Sequence, residues 1–226
     1  PIDFVYGNET IGKALVKHQD INAIFFTGSS AVGTHIEKEC MKQRKPCALE
    51  MGGNNAIIIE DKLPNIMEHL TMSAFITAGQ RCTCARRIIM NKKHASIIPK
   101  WIEQIKKLTI SPYPSSIDSF MGPVVLENVK ETILRKKIQA SETLLTAKDI
   151  GPGGLITPRI ELTNNRNDEE IFGPMVFIEL VDSIDAAIDR VNQSQYGLST
   201  SIYTSSKKKF THAFQCINTG IINWNT

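Results

Sequence analysis

Short apolar runs that alternate with helix-like segments constrain the fold of this chain more than any other feature. Apolar runs bounded by turn-forming residues are typical of buried strands. Strands are predicted at 21–26, 56–59, 85–90, 175–180, 198–203 and 221–224. Helices are predicted between them, at 11–18, 32–41, 65–75, 95–108, 127–140 and 184–192. Strands that alternate with helices indicate an α/β fold with mostly parallel strand pairing.

Hydroxyl side chains and one proline suggest where three of these helices begin. Thr10 could cap the first helix, and Ser29 with Ser30 offers capping hydroxyls to the second. Pro99 is compatible with the helix predicted at 95–108 only if it lies in the first turn.

Composition indicates an ordinary globular protein. Hydrophobic residues make up 42% of the 226 positions, and the formal net charge is only +3. This charge gives no strong attraction to nucleic acid or to an acidic membrane. No apolar stretch is long enough to span a bilayer, and no secretory leader opens the sequence. We therefore expect a cytoplasmic protein without a nucleic-acid or membrane partner.

The five cysteines are odd in number, and their spacing differs from that of a small disulfide scaffold. Cys82-x-Cys84 could be half of a metal site, but no close Cys or His pair completes it, so no metal is expected. The histidines form no local pair with a cysteine, which argues against a papain-like hydrolase. Reduced thiols are the simplest interpretation.

Cys82 and Glu50 are the candidates for covalent chemistry. Cys82 lies near a small-residue turn, and Glu50 precedes the paired glycines Gly52 and Gly53. A thiol with a carboxylate base is a combination that nucleophilic catalysis uses. Taken alone, such a pair is more often a structural cysteine and a surface glutamate.

The segment Gly28-Ser29-Ser30-Ala31-Val32-Gly33 follows a predicted strand and opens a predicted helix. A phosphate or ribose could approach such a helix N-terminus, where free N–H groups and the helix dipole favour negative charge. A plain strand-turn-helix joint fits the segment as well. Glu170 could bind a hydroxyl-rich ligand, or it could belong to an exposed acidic loop.

The order of five motifs is more specific than any one of them. They are Phe26-Thr27-Gly28-Ser29 with Gly33, Leu49-Glu50-Met51-Gly52-Gly53-Asn54, Gly79-Gln80-Arg81-Cys82, Glu170-Ile171-Phe172-Gly173-Pro174 and Tyr196-Gly197-Leu198-Ser199. In this order they resemble the NAD(P)-dependent aldehyde dehydrogenase superfamily along nearly the whole chain. Segments 49–55, 77–87 and 223–225 resemble the branch that oxidises the succinylated semialdehyde of glutamate in bacterial arginine degradation.

The resemblance implies a role for each catalytic candidate. Cys82 would attack the aldehyde to give a thiohemiacetal, and loss of hydride to NAD would leave a thioester. Glu50 would activate the water that hydrolyses the thioester. The backbone N–H of Cys82 would form part of an oxyanion hole, and Cys84 would be a non-catalytic neighbour. Arg81 is the candidate for binding the substrate carboxylates, because arginine recognises carboxylates bidentately.

The resemblance also implies which residues contact the cofactor. The segment from Gly28 to Gly33 would face NAD, Glu170 would lie near a ribose, and Phe172 would lie beside the nicotinamide. The implied fold is the end of a Rossmann-type NAD-binding domain at 1–50, followed by most of an α/β catalytic domain at 51–226.

The same resemblance leads us to expect an internal segment of a longer protein. The family places a second oxyanion donor, an asparagine, and a cofactor-binding lysine upstream of these motifs, and a further segment downstream. We expect this segment alone to be inactive and the full-length protein to be a homo-oligomer. Two alternatives stay open: an aldehyde dehydrogenase for another semialdehyde, and a non-catalytic structural or interaction module.

Overall fold

A computed structural model describes residues 2–112, 114–115, 118–139, 141–164 and 168–226. The chain divides into two compact units, Pro1–Gly52 and Gly53–Thr226.

The first unit contains two helices and two parallel strands. In chain order they are α1 (Glu9–Lys17), β1 (Ile24–Gly28), α2 (Ser30–Gln43) and β2 (Cys47–Met51). The strands pair in register from Ile24 opposite Cys47 to Gly28 opposite Met51. A small core forms where α1 and α2 bury Val16, Ile36 and Cys40 beside partly buried residues of the strands.

Side-chain caps fix the starts of both helices. The Asn8 side-chain oxygen accepts a hydrogen bond from the Thr10 N–H at 3.0 Å, so α1 begins at Glu9. The prediction that Thr10 caps this helix is wrong. Asn8 is the capping residue, and Thr10 lies inside the first turn, where its own N–H donates to the Asn8 side chain. Ser29 caps α2 through a 3.4 Å bond from the Val32 N–H to its hydroxyl, which confirms the predicted capping hydroxyl.

The second unit is built on a seven-stranded sheet with the order β5-β6-β7-β4-β3-β8-β9. Its strands are β3 (Asn55–Ile59), β4 (Ala85–Asn91), β5 (Ser141–Leu145), β6 (Arg159–Thr163), β7 (Met175–Val181), β8 (Ser199–Tyr203) and β9 (Ile221–Trp224). Its helices are α3 (Ile66–Phe75), α4 (Ile98–Ile105), α5 (Glu127–Arg135), α6 (Ile184–Asn192) and α7 (Lys207–Cys216). All strand pairs are parallel except β5 with β6. The predicted α/β fold with mostly parallel strands is confirmed.

Two apolar cores cover the two faces of this sheet. Ile57 and Ile59 of β3 join a core with residues of α3, α4 and α5, whereas Ile58 joins a second core with residues of α6 and α7. Successive strand residues point to opposite faces, so burial on both faces explains why β3 is a continuous apolar run.

Several predicted boundaries differ from the structure. The helix predicted at 95–108 is a 3₁₀ segment, Lys92–Ile97, followed by α4, with Pro99 in the first turn as predicted. The helix predicted at 127–140 ends at Arg135, and position 140 lies outside the described residues. In the described ranges, no helix is long and apolar enough to cross a membrane.

Candidate active site

The loop that carries Cys82 connects α3 to β4 through an unusual backbone. Thr77, Ala78 and Gly79 lie in succession at positive φ, with values of 53°, 54° and 67°. For a non-glycine residue this conformation costs on the order of 1–3 kcal/mol, and such strain clusters at functional sites. Gly79 is required because a Cβ there would overlap the carbonyl oxygen of Gly173. The loop then presents Cys82 on the exposed side of the chain.

Arg86 holds this loop from inside the second unit. Its side chain is only 2% exposed, and its guanidinium donates to the carbonyls of Gly79 at 2.8 Å and Arg81 at 3.2 Å. Nη2 also lies 3.3 Å from Oε1 of Glu170. The planar fork of arginine suits this task because it directs several donors at fixed angles.

Asn55, the first residue of β3, holds the other half of the loop. Its side-chain amide nitrogen donates to the carbonyls of Cys82 at 2.6 Å and Cys84 at 3.0 Å. Its amide oxygen accepts from the N–H of Ser199 at 3.0 Å, where β8 begins. Asn55 is 5% exposed, so one buried amide joins the loop to the starts of two strands.

Arg86 also contacts the two candidate cofactor residues of the second unit. Glu170 accepts from Arg86 and from the Gly53 N–H, the latter at 3.2 Å, through the same carboxylate oxygen. The Phe172 ring centroid lies 5.2 Å from the guanidinium carbon of Arg86, and Phe172 is 41% exposed. Arg86 therefore contacts three of the sequence candidates directly: Arg81, Glu170 and Phe172. The fourth candidate, Cys82, follows Arg81 in the loop.

A cavity of about 440 Å³ opens beside the loop. Its lining residues are Asn55, Ala56, Ile57, Met72, Ser73, Ile76, Arg81, Thr83, Cys84, Ala85, Ser199, Ser201, Ile221, Asn223 and Thr226. The lining includes the first residues of four strands, β3, β4, β8 and β9, so the cavity lies at the amino edge of the parallel sheet. Arg81 is on the cavity wall, as a substrate-binding role needs, whereas Cys82 is not among the lining residues.

Cys84 differs from Cys82 in burial, because Cys84 is buried and Cys82 is exposed. Burial raises the pKa of the Cys84 thiol, and its sulfur lies 3.8 Å from the carbonyl oxygen of Ile76. A raised pKa leaves less thiolate at neutral pH, and the thiolate is the nucleophilic form of cysteine. The structure therefore gives Cys84 a less reactive environment.

The remaining candidates lie in the first unit, at the carboxyl edge of its two strands. Glu50 is exposed near the end of β2 and pairs with Thr27, and Gly28 ends β1 beside it in the ladder. The segment 28–33 turns from β1 into α2. Gly33 is buried, and a side chain at this position would overlap Met51. Close packing therefore accounts for this glycine without a ligand.

The N-terminus of α2 suits an anionic group such as the pyrophosphate of a dinucleotide. Its first turn contains no acidic residue, and Ala31 and Val32 are exposed there. Unpaired N–H groups and the positive end of the helix dipole favour a negative ligand at such a terminus. The residues present in 28–33 therefore fit the cofactor that the sequence predicted for them.

Sequence reasoning missed the roles of Asn55 and Arg86. From its sequence, Arg86 is one of three arginines that flank Cys82, and it could equally be a solvated or ion-paired strand residue. A signal for its role existed, since an arginine in a strand that continues into the apolar run Ile88-Ile89-Met90 needs partners if the strand is buried. Across the described residues, no group of three or more His, Cys, Asp or Glu side chains could hold a metal ion.

The chain is similar to known proteins along nearly its whole length. The chain is 34% identical over 239 residues to N-succinylglutamate 5-semialdehyde dehydrogenase of Enterobacter sp. (strain 638), covering 99% of this chain and 48% of that protein. It is 35% identical to the protein of the same name from Legionella pneumophila (strain Corby), with the same coverage. The chain thus spans about half the length of the curated relatives it matches.

A structural neighbour supports the fold. Proline utilization A from Bdellovibrio bacteriovorus superposes with a TM-score of 0.87 at 28% identity, covering 95% of this chain and 24% of that one. The sequence model described as "Aldehyde dehydrogenase family" matches residues 2–226. Because this match runs through both units and includes every candidate residue, the chain belongs to the aldehyde dehydrogenase family.

Proposed function

We propose that the protein oxidises an aldehyde to a carboxylic acid through a covalent intermediate on Cys82. One observation carries the proposal: the family match includes a loop in which Cys82 is exposed while buried Arg86 and Asn55 hold the backbone around it. An accessible thiol on a rigid backbone is what a nucleophile needs, because attack depends on a fixed approach to the carbonyl.

In the proposed mechanism, the Cys82 thiol gives its proton to water, its sulfur bonds to the aldehyde carbon, and the carbonyl electron pair moves to oxygen. The Cys82 backbone N–H donates to the resulting oxyanion. A bound nicotinamide cofactor would supply the hydride acceptor, and loss of hydride from the thiohemiacetal carbon would leave a thioester on Cys82. Cys84, whose thiol pKa is raised by burial, takes no part.

The second half of the proposed reaction belongs to Glu50. Water hydrolyses the thioester and releases the acyl group from Cys82. A carboxylate that accepts a proton from this water makes it a better nucleophile. Glu50 is exposed, so its carboxylate is accessible to water. The water oxygen bonds to the acyl carbon, the carbon–sulfur bond breaks, and the free acid leaves.

For the cofactor we propose NAD, held in the first unit by Gly28, Ser29, Ser30, Ala31, Val32 and Gly33. The acid-free first turn of α2 supports this placement. In the second unit, Glu170 would bind a ribose hydroxyl and Phe172 would lie beside the nicotinamide. The 41% exposure of Phe172 is consistent with a ring that contacts a ligand.

For the substrate we propose N-succinylglutamate 5-semialdehyde, with arginine breakdown in the cytoplasm as the setting. Support comes from the names of two relatives at 34–35% identity and from Arg81 on the cavity wall. The substrate carries carboxylates, and an arginine guanidinium binds such groups with two parallel hydrogen bonds. We also propose that the full-length protein is a homo-oligomer.

The test is an absorbance assay of NADH formation by the full-length gene product. We expect multiple turnovers with N-succinylglutamate 5-semialdehyde and NAD, slower turnover with NADP, and a lower kcat/KM for an uncharged aldehyde of similar length. The 226-residue chain, assayed in parallel, should give no turnover. Equal kcat/KM for the charged and uncharged aldehydes would reject the substrate, whereas no turnover with any aldehyde would reject the enzymatic function.

A further inference from the structure

We infer that Arg86 and Asn55 are positioning residues that aim the backbone N–H of Cys82 at the oxyanion formed during attack. The inference rests on the proposed function, because it assumes that Cys82 is the nucleophile. It adds two residues that touch no reacting atom and act through the peptide groups on either side of Cys82.

The peptide group between Arg81 and Cys82 is held by its carbonyl. The Arg81 oxygen accepts from Nη2 of Arg86 at 3.2 Å and from the N–H of Cys84 at 3.1 Å. A trans peptide is planar, so its N–H points opposite to its C=O. Fixing the Arg81 carbonyl therefore fixes the direction of the Cys82 N–H, which points away from the buried guanidinium.

The next peptide group, between Cys82 and Thr83, is held in the same way. The Cys82 carbonyl oxygen accepts from the Asn55 side chain at 2.6 Å. With both neighbouring peptide planes fixed, the two backbone dihedral angles of Cys82 are fixed as well. The thiol then moves only by rotation about its side-chain bond, while the oxyanion donor stays in place.

The neighbouring arginine shows that this role is specific to position 86. Arg87 is also buried, at 3% exposure, but its Nε lies 2.8 Å from Glu179 and its Nη2 donates to the Arg190 carbonyl at 2.8 Å. Adjacent strand residues point to opposite faces of the sheet. Arg87 therefore forms a cross-strand ion pair and, among the residues that the structure describes, makes no hydrogen bond to the loop, so it provides a matched control for Arg86.

Two reactions of the same thiol separate positioning from general damage. In acylation by p-nitrophenyl acetate, the sulfur bonds to the carbonyl carbon, an oxyanion forms, and nitrophenolate leaves as a thioester appears. In alkylation by iodoacetamide, the sulfur bonds to the CH₂ carbon and iodide leaves. In both reactions the thiol proton goes to water. Only acylation passes through an oxyanion, so only acylation requires a correctly directed N–H.

The experiment compares Arg86→Lys, Arg87→Lys and Asn55→Asp in the full-length protein. Lysine keeps the positive charge at position 86 but lacks the planar guanidinium, which donates to the Gly79 and Arg81 carbonyls through two different nitrogens. Aspartate at position 55 keeps the acceptor for the Ser199 N–H and loses both donors to the loop. Rate constants for acylation and alkylation are measured, with mass spectrometry confirming modification of Cys82 and thermal unfolding reporting stability.

We expect Arg86→Lys and Asn55→Asp each to slow acylation at least about tenfold, since loss of a whole oxyanion donor costs about 10²–10³-fold. Alkylation should change less than about twofold, and Arg87→Lys should leave the ratio of the two rates at the wild-type value. Parallel loss of both reactions in the two loop variants, or an equal fall in the ratio for Arg87→Lys, would overturn the inference. If wild-type acylation falls on another cysteine, the proposed function itself fails.

Discussion

The two units place their candidate residues at opposite edges of parallel strands. In the first unit, Gly28 and Glu50 lie at or near the carboxyl ends of β1 and β2. In the second unit, Cys82 precedes β4, and the residues around its loop include the first residues of β3 and β8, Asn55 and Ser199. Ligands of open α/β sheets commonly bind at carboxyl ends, so only the candidate residues of the first unit lie where that rule predicts a ligand.

The difference shows what each edge needs in order to bind negative charge. At a carboxyl edge the next helix supplies free N–H groups and a favourable dipole without further construction. At an amino edge no helix N-terminus faces the ligand, so a donor must be oriented by other means. In the inferred arrangement, Arg86 and Asn55 would provide that orientation, and both are buried polar side chains.

If the covalent chemistry takes place at the amino edge of the second unit, Cys82→Ala should give the largest loss of turnover among the variants. Removal of a nucleophile typically lowers kcat by at least about 10⁴-fold. NADH formation by the full-length protein measures the loss, and circular dichroism checks that the fold is retained. Cys84→Ala is the matched control, two residues away in the same loop. A Cys82→Ala protein with more than a few per cent of wild-type turnover would remove Cys82 from the mechanism.

If Glu50, at the carboxyl edge of the first unit, acts only after hydride transfer, Glu50→Gln should slow thioester hydrolysis and leave hydride transfer unchanged. Loss of a general base costs about 10²–10⁴-fold, so steady-state turnover should fall by this factor while a burst of one NADH per active site remains. Stopped-flow absorbance separates the two phases. Glu37→Gln, at an exposed glutamate of α2 in the same unit, should change neither. Loss of the burst together with the steady state would place Glu50 before hydride transfer.

Arg81 tests whether the cavity at the amino edge binds substrate carboxylates. Hydrogen bonds to charged groups contribute about 1.5–3 kcal/mol, so Arg81→Gln should lower kcat/KM for the succinylated semialdehyde by roughly 10–100-fold. An uncharged aldehyde should be affected less than about threefold. Arg135→Gln, at an exposed arginine of α5, is the control. Equal losses on both aldehydes would indicate a role in the loop and not in substrate recognition.

The smallest effect is expected at Cys84. Because burial raises its pKa, its thiolate fraction at pH 8 is below that of an ordinary thiol and increases only as the pH passes the raised value. Cys84→Ala should therefore change turnover less than about twofold. Iodoacetamide should modify Cys82 before Cys84 throughout pH 7–9, as peptide mass spectrometry can determine. Faster modification of Cys84 would reverse the assignment of the two thiols.

Regular local signals allowed much of the α/β fold to be predicted from the sequence. The helix at 184–192 and the strand at 221–224 were predicted with their observed bounds, Ile184–Asn192 and Ile221–Trp224. Polar strands were missed: Arg159–Thr163 contains an arginine and a glutamate that pair within the sheet at 2.8 Å. Such a strand is stabilised by its neighbours, which local composition does not reveal.

The contacts around the candidate site could not be predicted for a related reason. Asn55 meets the Cys82 loop across 27 positions and Ser199 across 144, and Arg86 meets Glu170 across 84. No local period or cap indicates partners at such separations. Cys82, Glu50 and the segment 28–33 could be proposed because family motifs mark them, but their supporting residues required coordinates.

These separations have a consequence for the order of folding. Contacts between distant segments form late, since the entropy of closing long loops opposes them. The Asn55 amide acquires its last partner only when β8 has joined the sheet, more than a hundred positions downstream of the loop that it holds. An assembly intermediate without β8 would already contain β3 and β4, yet the Asn55 amide that holds the Cys82 carbonyl would lack the Ser199 N–H that fixes its other end. The acylation rate of Cys82 would then report completion of the native topology more sensitively than helix content does.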